Sequence, residues 1–211
     1  VTYTVLYTGM KSVSLVTSDI TLTATGTATG TVDVSGTDSV TRTITLSSLS
    51  GDGTLTPSFG AGTAVDWYDA AAPSVSASPV TVDNTPPSLV VAPPSPNQAR
   101  NGQTVSYVVT YTGADNITLS SADVVCNTTG TAAGAASVSG LGDTERVVTV
   151  SSITGDGTLG IGINAGTATD LAGNTCGVSS AAAAFDVDNT PPTVTVSAPS
   201  QSVVNQSRVV T

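Results

Sequence analysis

The carboxylate and amide side chains of this sequence follow a pattern that could bind calcium. Calcium takes six to eight oxygen ligands from carboxylates, carbonyls and water, and loops that meet at one end of a domain can supply them. All acidic residues except Glu145 are Asp, the short carboxylate that calcium loops and turns both favour. The candidate ligands are Asp52, Asp66, Asp69, Asp83 and Asn84, followed by Asp156, Asp170, Asn174, Asp188 and Asn189. The same residue types also make turns and cap backbone groups, so both interpretations stay open.

Catalytic chemistry is disfavoured by the composition. The chain has no histidine, which excludes Ser-His and Cys-His pairs and histidine-ligated zinc. No pair of carboxylates is marked out by a surrounding cleft pattern, so we expect no enzyme activity. With 15 acidic and 5 basic residues, the net charge of −10 also argues against nucleic acid or anionic lipid as a partner.

Two further pairs of residues could carry a specific role. Cys126 and Cys176 both lie in the second half of the chain. An even number of cysteines in a sequence of the extracellular type predicts one disulfide. The alternative is two free, buried thiols. Trp67 and Tyr68 are adjacent aromatics that could bind the apolar face of a sugar, or could pack at a domain end.

The chain repeats itself with a period of 104 residues. Three phrases recur with this shift, Tyr-Thr-Gly, Gly-Asp-Gly-Thr-Leu and Ala-Gly-Thr-Ala, and Val-Asp-Asn-Thr-Pro-Pro recurs with a shift of 105. Their first copies begin at Tyr7, Gly51, Ala61 and Val82, and their second copies at Tyr111, Gly155, Ala165 and Val187. This period is too long for a solenoid and matches one complete immunoglobulin-like sandwich per repeat.

Short segments within each repeat alternate between apolar and polar residues, as half-buried strands do. Examples are Val1–Tyr7, Thr41–Leu46 and Glu145–Val150. Ala181–Ala184 is the one stretch that could suggest a helix, but it leads directly into the last strand pattern and is predicted to be a loop. The predicted fold class is all-β, with two tandem immunoglobulin-like β-sandwich modules.

The Asn-Thr-Pro-Pro phrases mark the module boundaries, because paired prolines cannot continue a sheet ladder. They predict one module at 1–85, a second at 86–190 and a tail at 191–211. The counterpart of Val1 is Val105, so the first module lacks the opening strand that follows Pro87 in the second. Thr193–Thr211 is predicted to be an extra C-terminal strand of that opening type. Either the chain is a section of a longer array, or the tail completes another copy head to tail, which would give filaments.

The phrases GDGTL, AGTATDLAGNT and DVDNTPP, in this order and spacing, resemble the tandem Ig-like repeats of large bacterial cell-surface proteins and adhesins. The resemblance implies an extracellular array whose modules act mostly as spacers, with neighbouring modules as partners and calcium at the junctions. Cell-surface glycan binding is the alternative role. The first repeat departs from the pattern where Asp66 is followed by Trp-Tyr-Asp. The sequence contains no apolar run of the roughly 20 residues that a membrane helix needs.

Overall fold

The computed structural model describes residues 1–36, 40–200, 202–203 and 205–206. These residues form β-strands joined by turns, with two short 3₁₀ helices at Thr17–Asp19 and Ser121–Asp123. We refer to residues 1–85 as module 1 and 86–190 as module 2, and we call two residues counterparts when they are 104 positions apart.

The described residues of module 1 form nine strands, most of them in two main sheets. The strands are β1 (Thr2–Leu6), β2 (Ser12–Val13), β3 (Ile20–Ala24), β4 (Thr29–Ser35), β5 (Thr41–Ser50), β6 (Gly53–Phe59), β7 (Ala64–Val65), β8 (Val75–Ser76) and β9 (Val80–Val82). One sheet has the order β1-β5-β4, and in the other β3, β8 and β9 all pair with β6. The short strands β2 and β7 pair with each other.

Module 2 has a similar arrangement, with two strands added at its start and, in the described structure, no strand that corresponds to β8. Its strands are β10 (Ser88–Val91), β11 (Gln98–Ala99), β12 (Val105–Thr112), β13 (Asn116–Ile117), β14 (Val124–Thr128), β15 (Ala133–Ser139), β16 (Glu145–Thr154), β17 (Gly157–Ile163), β18 (Ala168–Thr169) and β19 (Phe185–Val187). The sheets have the orders β10-β12-β16-β15 and β11-β19-β17-β14. Both modules are Ig-like β-sandwiches, so the predicted fold class is confirmed.

The two added strands belong to one segment that crosses from one sheet to the other. β10 pairs antiparallel with β12, and β11 then pairs parallel with β19. We call residues 88–99 the A segment. In module 1, β1 corresponds to β12 and β9 corresponds to β19. Among the described strands, β1 pairs with β5 alone and β9 with β6 alone.

Period-2 alternation explains how these strands pack. Along β12, Val105, Tyr107, Val109 and Tyr111 point inward and are almost fully buried, while the residues between them are more exposed. The modules also share one irregularity: a bulge shifts the pairing of β4 with β5 and of β15 with β16. The residues with positive φ at these bulges, Ser48 and Ser152, are counterparts.

The cores of the two modules differ in size. Among the described residues, module 2 has one continuous cluster of seventeen buried residues, centred on β12, β16 and β17. Module 1 has two clusters of four buried residues, one around Ile44 and one around Leu55, and the partly buried Tyr3 and Val32 pack against both. The sheets of module 1 therefore enclose a smaller fully buried interior.

The tail forms no β-ladder in the part that the structure describes. Val194 and Val196 are 89% and 91% exposed. Residues 201, 204 and 207–211 of the predicted extra strand lie outside the described residues. Ala181–Ala184 is non-helical and leads into β19, as predicted. No helix in the described ranges is long and apolar enough to span a membrane.

Candidate functional site

The exit pole of each module, where the chain leaves its last strand, is built from two interlocked turns. In module 1 these are Thr25–Thr27 and Gly51–Gly53. The Thr27 amide donates to the Asp52 carbonyl at 2.8 Å, and the Asp52 amide donates to Thr27 Oγ1 at 2.9 Å. The counterpart bonds between Thr131 and Asp156 are 2.8 and 3.0 Å long. The turn formed by the Gly-Asp-Gly phrase is therefore hydrogen-bonded in both directions to the turn that contains the threonine.

The Asp of this phrase then fixes the strand exit. Asp156 Oδ1 accepts a hydrogen bond of 2.6 Å from the Asn189 amide, and Asn189 Nδ2 donates to the Gly155 carbonyl. In module 1, Asp52 and Asn84 make the same two contacts, at 2.7 and 2.6 Å. We call the interlocked turns together with this Asp–Asn pair the clasp.

Removal of the clasp carboxylate should destabilise module 2 in the same way with and without calcium. We expect Asp156→Ala to cost about 1–2 kcal/mol of unfolding free energy, because the Asn189 amide loses a charged acceptor. Chemical denaturation in calcium and again in a chelator measures this cost. Asp186→Ala, which removes an exposed carboxylate from β19, is the matched control. A loss that occurs with calcium and disappears on chelation would instead identify Asp156 as a metal ligand.

The entry pole, at the opposite end of each module, is held by a tyrosine–threonine pair. Tyr111 and Thr167, both buried, are joined by a 2.9 Å hydrogen bond between their hydroxyls. Tyr7 donates to Thr63 over the same distance in module 1. Burial raises the pKa of Tyr111, which is consistent with a neutral structural hydroxyl. Sequence reasoning missed these pairs, although their two phrases recur at a constant separation.

A loop at the entry pole of module 2 contacts the exit of module 1. Asp170 accepts hydrogen bonds from the amide and side chain of Asn174, and these bonds hold the pKa of Asp170 below its usual range. Asn174 Nδ2 also donates to the Asp83 carbonyl at 3.0 Å, across the junction. Asp115, which is not among the predicted site residues, accepts from the Leu171 amide at 2.7 Å.

The other candidate metal ligands cap turns or form an ion pair. Asp83 and Asp188 each accept from the amide two residues later. Asp66 accepts from the amides of Tyr68 and Ala70, and Asp69 pairs with Lys11 at 2.9 Å.

These contacts divide the ten predicted ligands between the two poles. The part of the chain that the structure describes contains no group of three or more His, Cys, Asp or Glu side chains placed to hold a metal ion. Every one of the ten makes a hydrogen bond or ion pair that does not require an ion. Calcium binding therefore stays a prediction from sequence.

The expected disulfide is not formed in the structure, where both thiols are free. Cys126 lies on β14 opposite Ile161 of β17. Cys176 is buried and follows β18, and its thiol lies 3.4 Å from the Thr167 hydroxyl. Burial raises the pKa of Cys126, and raises that of Tyr107 to about 12.

The aromatic pair predicted to bind a ligand lies in the loop between β7 and β8, at the entry pole of module 1. Trp67 is 74% exposed and Tyr68 is 92% exposed. Both rings are accessible, and glycan binding by this pair stays a prediction.

Module 1 has an open edge along β1. Val1 is 54% exposed and Tyr3, Val5 and Tyr7 are half-buried, whereas their counterparts on β12 are at most 2% exposed. In module 2, Leu89 and Val91 of β10 pack against the core beside those counterparts. Within the described residues, the outer edge of β1 has no strand partner and its apolar side chains are partly uncovered, an arrangement that can bind an added strand.

Comparison with solved structures gives a structural likeness. No protein-family model matches the chain, and no curated protein does. Among solved structures the chain is similar to FdeC, described as a novel, broadly conserved Escherichia coli adhesin eliciting protection against urinary tract infections, with a TM-score of 0.39 and 15% identity. The match covers 89% of this chain and 64% of that chain, so this chain spans less than two thirds of that structure's length.

Proposed function

We propose that this chain is a structural section of an extracellular bacterial surface array, in which Ig-like modules act as spacers and each is completed by an A segment delivered across the junction before it. The observation that carries this proposal is the path of the chain into module 2. Immediately after Asn84–Pro87, β10 and β11 join both sheets of module 2 and close its core.

The positions of entry and exit favour an extended array. β10 enters module 2 opposite Thr112, beside the tyrosine–threonine pair. β19 leaves it opposite Gly157, at the clasp. Because module 2 is entered at one pole and left at the other, successive modules of this kind would add length rather than fold back. Such a geometry suits a spacer at a cell surface.

The junction has direct contacts that favour a defined geometry between modules. The Asn174 side chain bonds to the Asp83 carbonyl, and paired prolines follow at Pro86 and Pro87. Prolines restrict the backbone and keep a linker extended. Stiffening by calcium would add to these contacts, and the chelation series on Asp156 tests whether a clasp carboxylate binds calcium.

The experiment that tests the proposal grafts an A segment onto module 1. A copy of Pro86–Thr104 is fused to the N-terminus at Val1, because Thr104 precedes the counterpart of Val1. We expect module 1 to gain about 3 kcal/mol or more of unfolding free energy, since apolar side chains on the graft and on β1 become buried. Chemical denaturation monitored by circular dichroism measures the gain.

A matched graft controls for added length. In it, the residues copied from Leu89 and Val91 are Asp, so the strand keeps its backbone and loses its inward apolar face. This control should leave the stability of module 1 unchanged. Equal stability of the two grafted chains would refute the proposal that module 1 is completed by an A segment.

A further inference from the structure

The entry pole of each module carries a loop with the same backbone bonding, so its two copies can be compared residue by residue. In module 1 a bridge joins Val65 to Ala71. Inside it, the Asp66 amide donates to the Ala70 carbonyl at 3.0 Å, and the Asp69 amide donates to the Asp66 carbonyl at 3.2 Å. The counterparts in module 2 are bridged in the same way, and their two bonds are 3.1 and 3.2 Å long. The two loops therefore share one frame and differ in their side chains.

The tip of this loop carries different residues in the two modules. It reads Trp-Tyr-Asp-Ala from Trp67 in module 1, where module 2 reads Leu-Ala-Gly-Asn. In module 2 the last of these residues, Asn174, donates to the Asp83 carbonyl of the neighbouring module at 3.0 Å. Its counterpart Ala70 has no polar side-chain atom for such a bond. The tip of module 1 thus lacks the side chain that contacts a neighbouring module and carries two adjacent aromatic rings.

Both rings project into solvent, and module 2 shows that a neighbouring module does not cover this position. Trp67 is 74% exposed and Tyr68 is 92% exposed. Leu171, the counterpart of Trp67, is 91% exposed although module 1 lies at that pole and is bonded to the same loop through Asn174. The outward direction of the tip is therefore a property of the loop frame, and it does not depend on what precedes module 1.

The tip of module 1 is held in a defined conformation. The Asp66 carboxylate accepts a hydrogen bond of 2.8 Å from the Tyr68 amide. Asp69 adopts φ +62°, where an L side chain is strained, whereas its counterpart Gly173 adopts positive φ without that strain. The Lys11 ammonium lies 2.9 Å from the Asp69 carboxylate and holds it in place. A loop that is already ordered loses little conformational entropy when it binds, and rigid aromatic side chains suit this use.

We propose that Trp67 and Tyr68 form a binding site for a neutral sugar, whose apolar face stacks on the aromatic rings. An exposed aromatic ring offers an apolar face of this kind. The side chains of Lys11 and Asp69, which are 45% and 76% exposed, lie at the same loop and provide a hydrogen-bond donor and an acceptor for sugar hydroxyls. This proposal goes beyond the proposed function, because it adds recognition to a module that otherwise acts as a spacer.

The charge of the site and its area favour this class of ligand. Lys11 and Asp69 compensate each other, while Asp66 and the net charge of −10 repel sialylated or sulfated glycans and anionic lipids. A Trp or Tyr side chain buries 150–250 Å², so two rings offer about 300–500 Å². A stable protein partner needs about 800 Å² on each side. The tip therefore suits one or two sugar rings better than a protein surface.

Tryptophan fluorescence can measure binding at this site alone, because Trp67 is the only tryptophan in the sequence. The full chain is titrated with neutral oligosaccharides of glucose, galactose and mannose, and separately with sialylated oligosaccharides and phosphatidylcholine vesicles. We expect a saturable change in emission with at least one neutral oligosaccharide. The sialylated oligosaccharides and the vesicles should cause no change.

A matched variant transfers the tip of module 2 to module 1. The double substitution Trp67→Leu with Tyr68→Ala introduces the residues that the same frame already carries in module 2, so the loop should keep its fold. Calorimetry with the neutral oligosaccharide that binds should show an affinity lower by about tenfold or more, since aromatic anchors carry most of the binding energy of such sites. Leu171→Ala, at the tip of module 2, is the control and should leave the affinity unchanged.

Three outcomes would overturn the proposal. They are a lack of saturable response to every neutral oligosaccharide, a response to sialylated oligosaccharides or vesicles alone, and an affinity that the double substitution leaves unchanged. A response to vesicles alone would identify the tip as a membrane contact. None of these results alters the stability that the grafted A segment adds to module 1, so the sugar site and the proposed function can fail independently.

Discussion

Gly155→Ala is expected to cost module 2 on the order of 4 kcal/mol of unfolding free energy, a large part of the stability of a domain this size. Gly155 adopts φ +74°, where an L side chain is strained. A Cβ there would also lie far closer than 3.0 Å to the carbonyl oxygen and carbon of Thr131. Because Thr131 is itself bonded to Asp156 in both directions, the clasp cannot move aside without losing those bonds.

Gly166→Ala separates the cost of backbone strain at positive φ from the cost of the steric clash. Gly166 has nearly the same backbone conformation, φ +81°, but nothing lies within 4 Å of the position its Cβ would take. The strain alone should cost about 1–2 kcal/mol. Urea denaturation compares the unfolding free energies of the two variants, which both introduce the same alanine side chain. Similar losses in both would show that backbone strain dominates and that the interlock adds little.

The regular part of the fold could be predicted from the sequence because its information is local. Alternation along Val105–Thr112 and Glu145–Thr154 specifies which side chains face the core, and two copies of the pattern indicate two sandwiches. Ala181–Ala184 leads directly into the last strand pattern and is therefore predicted to be a loop. Such signals depend on neighbouring residues, so a single sequence is enough to detect them.

The role of the candidate site residues depends on partners that are distant in the sequence. Asp156 looks equally suited to a metal site or a turn until its contacts with Thr131 and Asn189, 25 and 33 residues away, are known. The same holds for Cys126 and Cys176, whose even number suggests a bond although one lies opposite Ile161 and the other contacts Thr167. Residue type alone does not reveal which side chains a residue meets inside the sandwich.

The open edge of module 1 leads to the second large expected effect, which is a difference in stability between two modules of similar sequence. Four inward positions on β1 are less buried than their counterparts on β12, and no A segment packs over them in the described structure. Complete burial of an aliphatic or aromatic side chain contributes about 1.5–3 kcal/mol. Module 1 should therefore be less stable than module 2 by about 5 kcal/mol.

Amide hydrogen exchange can measure this difference at matched positions. Ile44 and Leu46 on β5 are as fully buried as their counterparts Val148 and Val150 on β16, with at most 1% exposure in all four. All four amides lie in the central strand of their sheet. A difference in their protection thus reports the free energy of opening the whole module rather than local exposure.

We expect the amides of Ile44 and Leu46 to exchange at least about 1,000-fold faster than those of Val148 and Val150 in dilute protein, since each 1.4 kcal/mol corresponds to a factor of ten. The chain with the grafted A segment is the control, and in it the protection of the two modules should become similar. Equal protection in the ungrafted chain would mean that the smaller core of module 1 is sufficient by itself and that its open edge carries no energetic cost.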